Sequence, residues 1–195
     1  MSLDRFIQIK TNNLQPVKGR VLLSEPFMGD YYFGRSVVLL AEHNPEGSFG
    51  VILNKKIPAH LTDFIQELGD TELPVYLGGP VETNRLFFIH TLGEVIEDSV
   101  SLIDGLYWGG NLQDIKELSR NKVLTDKNFR FFLGYSGWGA EQLSSELKRN
   151  SWAVTHIKTQ QIFQTKPEIL WKKLTLQLGV NYKLWNKFPA DPASN

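Results

Sequence analysis

The chain has 195 residues, with 21 lysines and arginines against 21 aspartates and glutamates, and 42% of it is apolar, including 12 Phe, 6 Tyr and 5 Trp. A length of this order holds one domain or two small ones, and so much aromatic mass builds a core, which excludes disorder over the whole chain. Zero net charge provides no footprint for binding a phosphate backbone, and the absence of cysteine excludes disulfides, thiolate nucleophiles, zinc ribbons and iron–sulfur sites.

Gly19 to Ser24 and Ser36 to His43 are β-branched and leucine-rich and read as strands, separated by an ordered Pro/Gly/Asp-containing loop. Asn44-Pro45-Glu46-Gly47 joins the second run to Ser48 to Asn54, which predicts a β-hairpin. Leu61, Phe64, Ile65 and Leu68 repeat at helical spacing before a stop at Gly69. Pro74 to Leu77 and Leu86 to His90 flank the turn Gly78-Gly79-Pro80, and Val100 to Ile103 reads as a further strand. Leu112, Ile115 and Leu118 predict a helix with Asn111 as its N-cap.

Phe129 to Leu133 reads as a strand, Gly134 to Gly139 as a tight turn, and Ala140 to Lys148 as a helix with Leu143 and Leu147 on one face. Ser151 to Ile157 is strand-like. Thr165-x-x-Glu168, with Pro167 between, has the form of a capping box and predicts a helix to about Gly179 with Leu170, Trp171, Leu174 and Leu178 inward. One domain over residues 1–195 is expected, with 1–15 an extension and 186–195 a loose tail. Helices and strands mix without a βαβ rhythm, so the fold class is α+β.

No apolar run approaches the roughly 18 residues of a membrane-spanning helix, and the first residues lack the apolar stretch and cleavage site of a secretory leader, so a cytoplasmic protein without a membrane partner is expected. Gly134-Tyr135-Ser136-Gly137-Trp138 resembles the G-x-S-x-G turn of serine hydrolases, but Trp138 stands where the second glycine belongs. Backbone N–H groups at the helix start following Gly137, Trp138 and Gly139 form a candidate site for a small anion, with Ser136, Gln142, His43 and Asn54 near it. His43, His60, His90 and His156 show no metal-ligand spacing, so neither a metal nor a cofactor is expected. Asp30 and Arg35 read as an ion pair, and Gly78, Gly79 and Pro80 as a structural turn without phosphate-loop residues. The five tryptophans belong in the core or at a dimer interface, which leaves a homo-oligomer open. Lys116, Arg120 and Lys122 form a basic cluster, but Asp114 and Glu117 share their helix and make it a solvated face.

The run from Gly19 to Ser24, then Pro26, Met28, Asp30, Phe33, Arg35 to Val38, Glu42-His43-Asn44, Gly47, Gly50 and Asn54, resembles the N-terminal signature of the bacterial YqgE/AlgH family. Gly78-Gly79-Pro80-Val81, and Gly134 to Trp138 followed by Gln142-Leu143, Glu146-Leu147 and Trp152, are similar to its other two signatures. The resemblance implies an α+β fold with a mixed, partly closed β-sheet flanked by helices. It carries the family's label of transcriptional regulator without a helix-turn-helix to support it. Tyr31 replaces the proline that usually follows the family's aspartate, and Ser136 the usual alanine, so no hydroxyl chemistry is implied there.

The expected function is that of a non-enzymatic binding or regulatory protein with no catalytic residues, presenting a Gly-rich helix-start turn to a small anion or a protein partner. Two alternatives remain open. One is a hydrolase or transferase using His43 or His90 with Asp30, and Ser136 in reserve; the other is a regulator acting on DNA directly.

Overall fold

Among residues 12, 14–68 and 72–188, which the computed structural model describes, ten strands carry the architecture. The apolar runs form β1 (Val21–Ser24), β2 (Val37–Asn44) and β3 (Gly47–Ile52); β4 (Lys56–His60) and β5 (Pro74–Leu77) follow. Next come β6 (Val81–His90), β7 (Val100–Ile103), β8 (Leu106–Trp108), β9 (Phe129–Gly139) and β10 (Trp152–Thr155). The sheet runs β10-β1-β2-β3-β9-β6-β8-β7, and β5 joins it by pairing with β9. That β5–β9 pairing is parallel, whereas the others are antiparallel, so the sheet is mixed. It is open, not partly closed as expected: among the described residues β10 and β7, at the two ends of the path, each pair on one side alone.

Helices flank the sheet: α1 (Leu112–Arg120), α2 (Gln142–Lys148), α3 (Thr159–Gln164) and α4 (Pro167–Gln177). Asn111 caps α1 as its sequence predicts, accepting from the Gln113 N–H at 2.8 Å. Pro167 opens α4, where its missing N–H costs nothing. Thr165 is not that helix's cap, however; Lys166 takes the position, and the Thr165 hydroxyl accepts from Lys173 Nζ at 3.3 Å.

Five further segments differ from expectation. Gly134 to Gly139 is no tight turn but the second half of β9, because β3 and β6 supply partners for its backbone. Leu61 to Leu68 forms two 3-10 turns, Leu61–Asp63 and Gln66–Leu68, instead of one helix, with Leu61 and Leu68 still buried. Strands β4 and β8 and helix α3 are not among the elements expected from the sequence. The stop at Gly69 lies outside the described residues. So do most of the 1–15 extension and residues 189–195 of the tail; of the remainder, Asn12 bonds both backbone groups of Val154, and Asn186 Nδ2 donates to Thr175 Oγ1 at 2.8 Å.

Alternation along the strands divides the core. Val21, Leu23, Leu39, Ala41 and Val51 face α3, α4 and the helical turn Val180–Lys187, where Trp171 stacks on Trp185 at 6.1 Å. Leu22, Val38, Leu40 and Ile52 face the opposite way, toward Trp138, Leu143 and Trp152 under α2. Burial on both faces explains why β1 and β2 read as unbroken apolar runs. A third cluster, including Ile115, Phe129 and Phe131, lies under α1.

Candidate functional site

The site grows out of cross-strand register where the β2–β3 hairpin meets the end of β9. Glu42 on β2 stands opposite Phe49 on β3, which stands opposite Gly137 on β9. One row further, Asn44, Gly47 and Gly139 align, and on the other side Tyr135 pairs with Val81 of β6. Paired residues project from the same face of a sheet, so the three glycines leave a patch of bare backbone. Phe49, Tyr135, Val81, Glu42 and Glu46 line an open depression of about 490 Å³ around it. Phe49 and Tyr135 meet edge to face at 5.6 Å, and Phe49 meets Trp108 likewise at 5.1 Å, so the aromatic wall is braced from behind.

The hairpin holds its acids in place through Asn44. Its Oδ1 accepts from the N–H groups of Glu46 and Gly47 at 2.9 and 3.1 Å, and its Nδ2 donates to Glu42 Oε1 at 2.7 Å. Among the described residues, no lysine, arginine or histidine lines the pocket. Two carboxylates beside aromatic walls suit a cation on an apolar stem.

The residues expected to bind are only partly brought together. Gly137, Trp138 and Gly139 border the pocket, though the Trp138 ring packs with Trp152 in the core and its Nε1 donates to Glu146 Oε2 at 2.9 Å. Ser136 is fully buried and donates to the Gly78 carbonyl at 3.0 Å. Asn54 clamps the start of β2, accepting from Val37 N–H at 2.8 Å and donating to Arg35 O at 3.0 Å. Gln142 Oε1 accepts from the Gly139 N–H at 3.1 Å, and α2 has only seven residues. The Gly139 N–H is therefore engaged by the first side chain of α2, and the pocket lies on the sheet beside that helix.

His43 stands on the other side of the hairpin, where its Nδ1 lies 2.6 Å from Ser48 Oγ beside a second depression that includes Glu141 and Ser144. Asp30 is engaged elsewhere: its Oδ1 accepts from the N–H groups of Tyr32 and Phe33 at 2.7 and 2.9 Å. The ion pair expected between Asp30 and Arg35 does not form; the Arg35 guanidinium donates to the Phe188 carbonyl and lies 5.1 Å over the Trp171 ring. Gly78, Gly79 and Pro80 serve backbone packing, since a Cβ on Gly78 would stand 1.9 Å from the Gly134 carbonyl oxygen.

His90 is fully buried between Tyr107 and Phe129. Its Nδ1 accepts from Leu92 N–H at 3.2 Å, so Nε2 carries the proton and donates to Gly109 O at 3.0 Å. Burial lowers its pKa from the ordinary 6.5, against a smaller upward pull from that carbonyl. His90, His43, Asp30 and Ser136 thus bond separately, in four different settings. Among the described residues, no group of three or more His, Asp or Glu is placed to hold a metal ion, and no helix is long and apolar enough to cross a membrane.

Glu42, Glu46, Phe49, Val81 and Tyr135 line the pocket without having been expected to bind, although Glu42, Val81 and Tyr135 fall within the family signatures. The available signal is the spacing of Gly137 and Gly139, two positions apart, a period that suits one face of a strand.

The AlgH-like family model matches residues 21–183. The chain is 46% identical over 196 residues to a UPF0301 protein of Parabacteroides distasonis, covering all of this chain and 99% of that one. It is 44% identical to a UPF0301 protein of Bacteroides thetaiotaomicron, with both chains covered completely. The solution structure of the AlgH protein from Pseudomonas aeruginosa superposes with a TM-score of 0.69 at 27% identity, over 92% of this chain and 98% of that one. A crystal structure of a Corynebacterium diphtheriae protein gives 0.76 at 23% identity, over 96% of this chain and all of that one, a likeness of fold alone.

Proposed function

The chain belongs to the AlgH-like family, and from that premise we propose that it is a non-catalytic, cytoplasmic binding protein whose working surface is the pocket at the end of the β2–β3 hairpin. The occupant is a basic side chain of a protein partner, through which the protein exerts a regulatory effect. The observation that carries this reading is a floor of Gly47, Gly137 and Gly139 in a depression lined by Phe49, Tyr135, Glu42 and Glu46. Such a cavity admits an alkyl stem against the rings and sets its charged end beside carboxylates, where charge-assisted hydrogen bonds are strongest. The acidic lining favours a cation over the small anion expected from the sequence. The reading requires no cofactor.

Titration with N-acetyl-lysinamide and N-acetyl-argininamide, followed by amide NMR, tests it. Millimolar binding that perturbs the Gly137 and Gly139 signals is expected. Gly139→Leu, which fills the pocket from a position where a Cβ meets nothing within 4 Å, and the double variant Glu42→Gln/Glu46→Gln each weaken that binding by about tenfold or more. Unperturbed glycine signals, or a stronger response to sulfate at the same amides, would refute the proposal.

A further inference from the structure

A neutral total conceals a charge division. Residues 158–187 hold six lysines, Lys158, Lys166, Lys172, Lys173, Lys183 and Lys187, against the single acid Glu168, so this segment carries +5 and the rest of the chain −5. All six are exposed, and none belongs to an ion pair among the described residues. The basic cluster singled out from the sequence is weaker, since Lys116 lies 3.9 Å from Glu67.

On α4 the lysines share a face with aliphatic side chains. Leu170, Trp171 and Leu174 are buried against the core, while Ile169 and Leu176 are 50% and 44% exposed. At helical spacing Ile169, Lys172, Lys173 and Leu176 fall within an arc of about 100°. Beyond Gly179, Val180 is 78% exposed. The inward stripe of α4 is already used by the fold; what remains outside is a second stripe of protruding aliphatics flanked by lysines.

We propose that this outward face of α4 docks on anionic phospholipid bilayers. Charge complementarity selects an anionic partner, and the aliphatic side chains select among anionic partners. A nucleic acid would engage aromatic faces or arginine forks, and this face carries neither. At a bilayer the aliphatic tips enter the boundary of the acyl region, while lysine stems lie along it and keep their ammonium groups among the headgroups. Each such lysine contributes through an attraction that fades within a Debye length, so the negative remainder of the chain does not cancel it and turns the molecule with α4 toward the surface. Contact of this kind needs no spanning helix.

Co-sedimentation of the full chain with vesicles of phosphatidylcholine, alone or mixed with phosphatidylglycerol, provides the test. The chain should sediment with the mixed vesicles and not the neutral ones, and added salt should release it. Lys172→Glu/Lys173→Glu should weaken the association by more than about tenfold. Ile169→Ser/Leu176→Ser should weaken it several-fold with the charge unchanged, which separates insertion from attraction alone. Gly139→Leu should leave vesicle binding intact, so this inference and the pocket stand or fall separately. Failure to bind anionic vesicles, equal binding to neutral ones, an unaltered lysine variant that circular dichroism shows to be folded, or a preference for duplex DNA over vesicles would each overturn it.

Discussion

The two halves of β9 belong to one strand and serve opposite ends. In Phe129–Leu133, the side chains of Phe129, Arg130, Phe131 and Phe132 are buried, and the backbone pairs with β5 on one side and β6 on the other. In residues 134–139, three of the six residues are glycine, and β3 becomes the partner from Ser136 onward. Gly134 marks the change: its φ is +70°, and a Cβ there would stand 2.7 Å from Gly79 O and 2.8 Å from Val81 O. Gly139 has nothing within 4 Å of where its Cβ would be. One glycine is demanded by the backbone packed against it, whereas the other leaves open floor that the fold itself does not require. That contrast separates a structural glycine from one available to a ligand.

The largest expected effect concerns the buried half. Arg130 is 4% exposed, donates to Leu53 O at 3.0 Å and Ile162 O at 2.8 Å, and lies 4.4 Å over the Tyr76 ring. Burial lowers its pKa, while the neighbouring Tyr76 and Asp126 act in the opposite sense. Arg130→Leu removes a costly buried charge but orphans two interior carbonyls, and urea denaturation should register a net loss of about 3 kcal/mol.

The glycines sharpen the comparison next. Gly134→Ala should destabilise by about 2 kcal/mol through strain at positive φ and contact with two carbonyls, while Gly139→Ala should stay within about 0.5 kcal/mol of the native protein. Equal losses for the two would erase the distinction between the halves.

The smallest effect is a pH dependence at the buried end of β6, beside Phe129. The folded protein holds His90 neutral below the ordinary pKa of 6.5, so the unfolded chain binds the proton more readily. Stability from this group is therefore complete above about 6.5 and declines as pH falls toward the lowered folded value. Urea midpoints measured across that range should drop on the acid side, and His90→Phe, although less stable at neutral pH, should lack that part of the decline.

Much of the fold was legible locally. The β2–β3 hairpin follows from Asn44 to Gly47 between two apolar runs, α1 from Asn111 and its periodic leucines, and the start of α4 from Pro167. Each depends on residues within a few positions of one another. The pocket was less legible because its rows join Glu42 and Phe49 to Gly137 across nearly half the chain. Gly134 to Gly139 reads as a turn for the same reason: glycine permits a turn, and only distant strands can hold such a segment extended. Arg35 is equally instructive. Its expected carboxylate, Asp30, is taken up by the turn that follows it, and the guanidinium finds the Phe188 carbonyl and the Trp171 face far along the chain.

By itself the sequence determined an α+β protein rich in short strands, without thiol chemistry, neutral in sum and bearing the signatures of its family, because composition and local periodicity act over a few residues. Tertiary structure alone decided that the glycines of β9 lie in an extended strand, that Glu42, Glu46, Phe49 and Tyr135 line one depression, and that the aliphatic residues of α4 divide between core and solvent. Those outcomes depend on which strands become neighbours and which helix face the sheet covers, and long-range burial settles both.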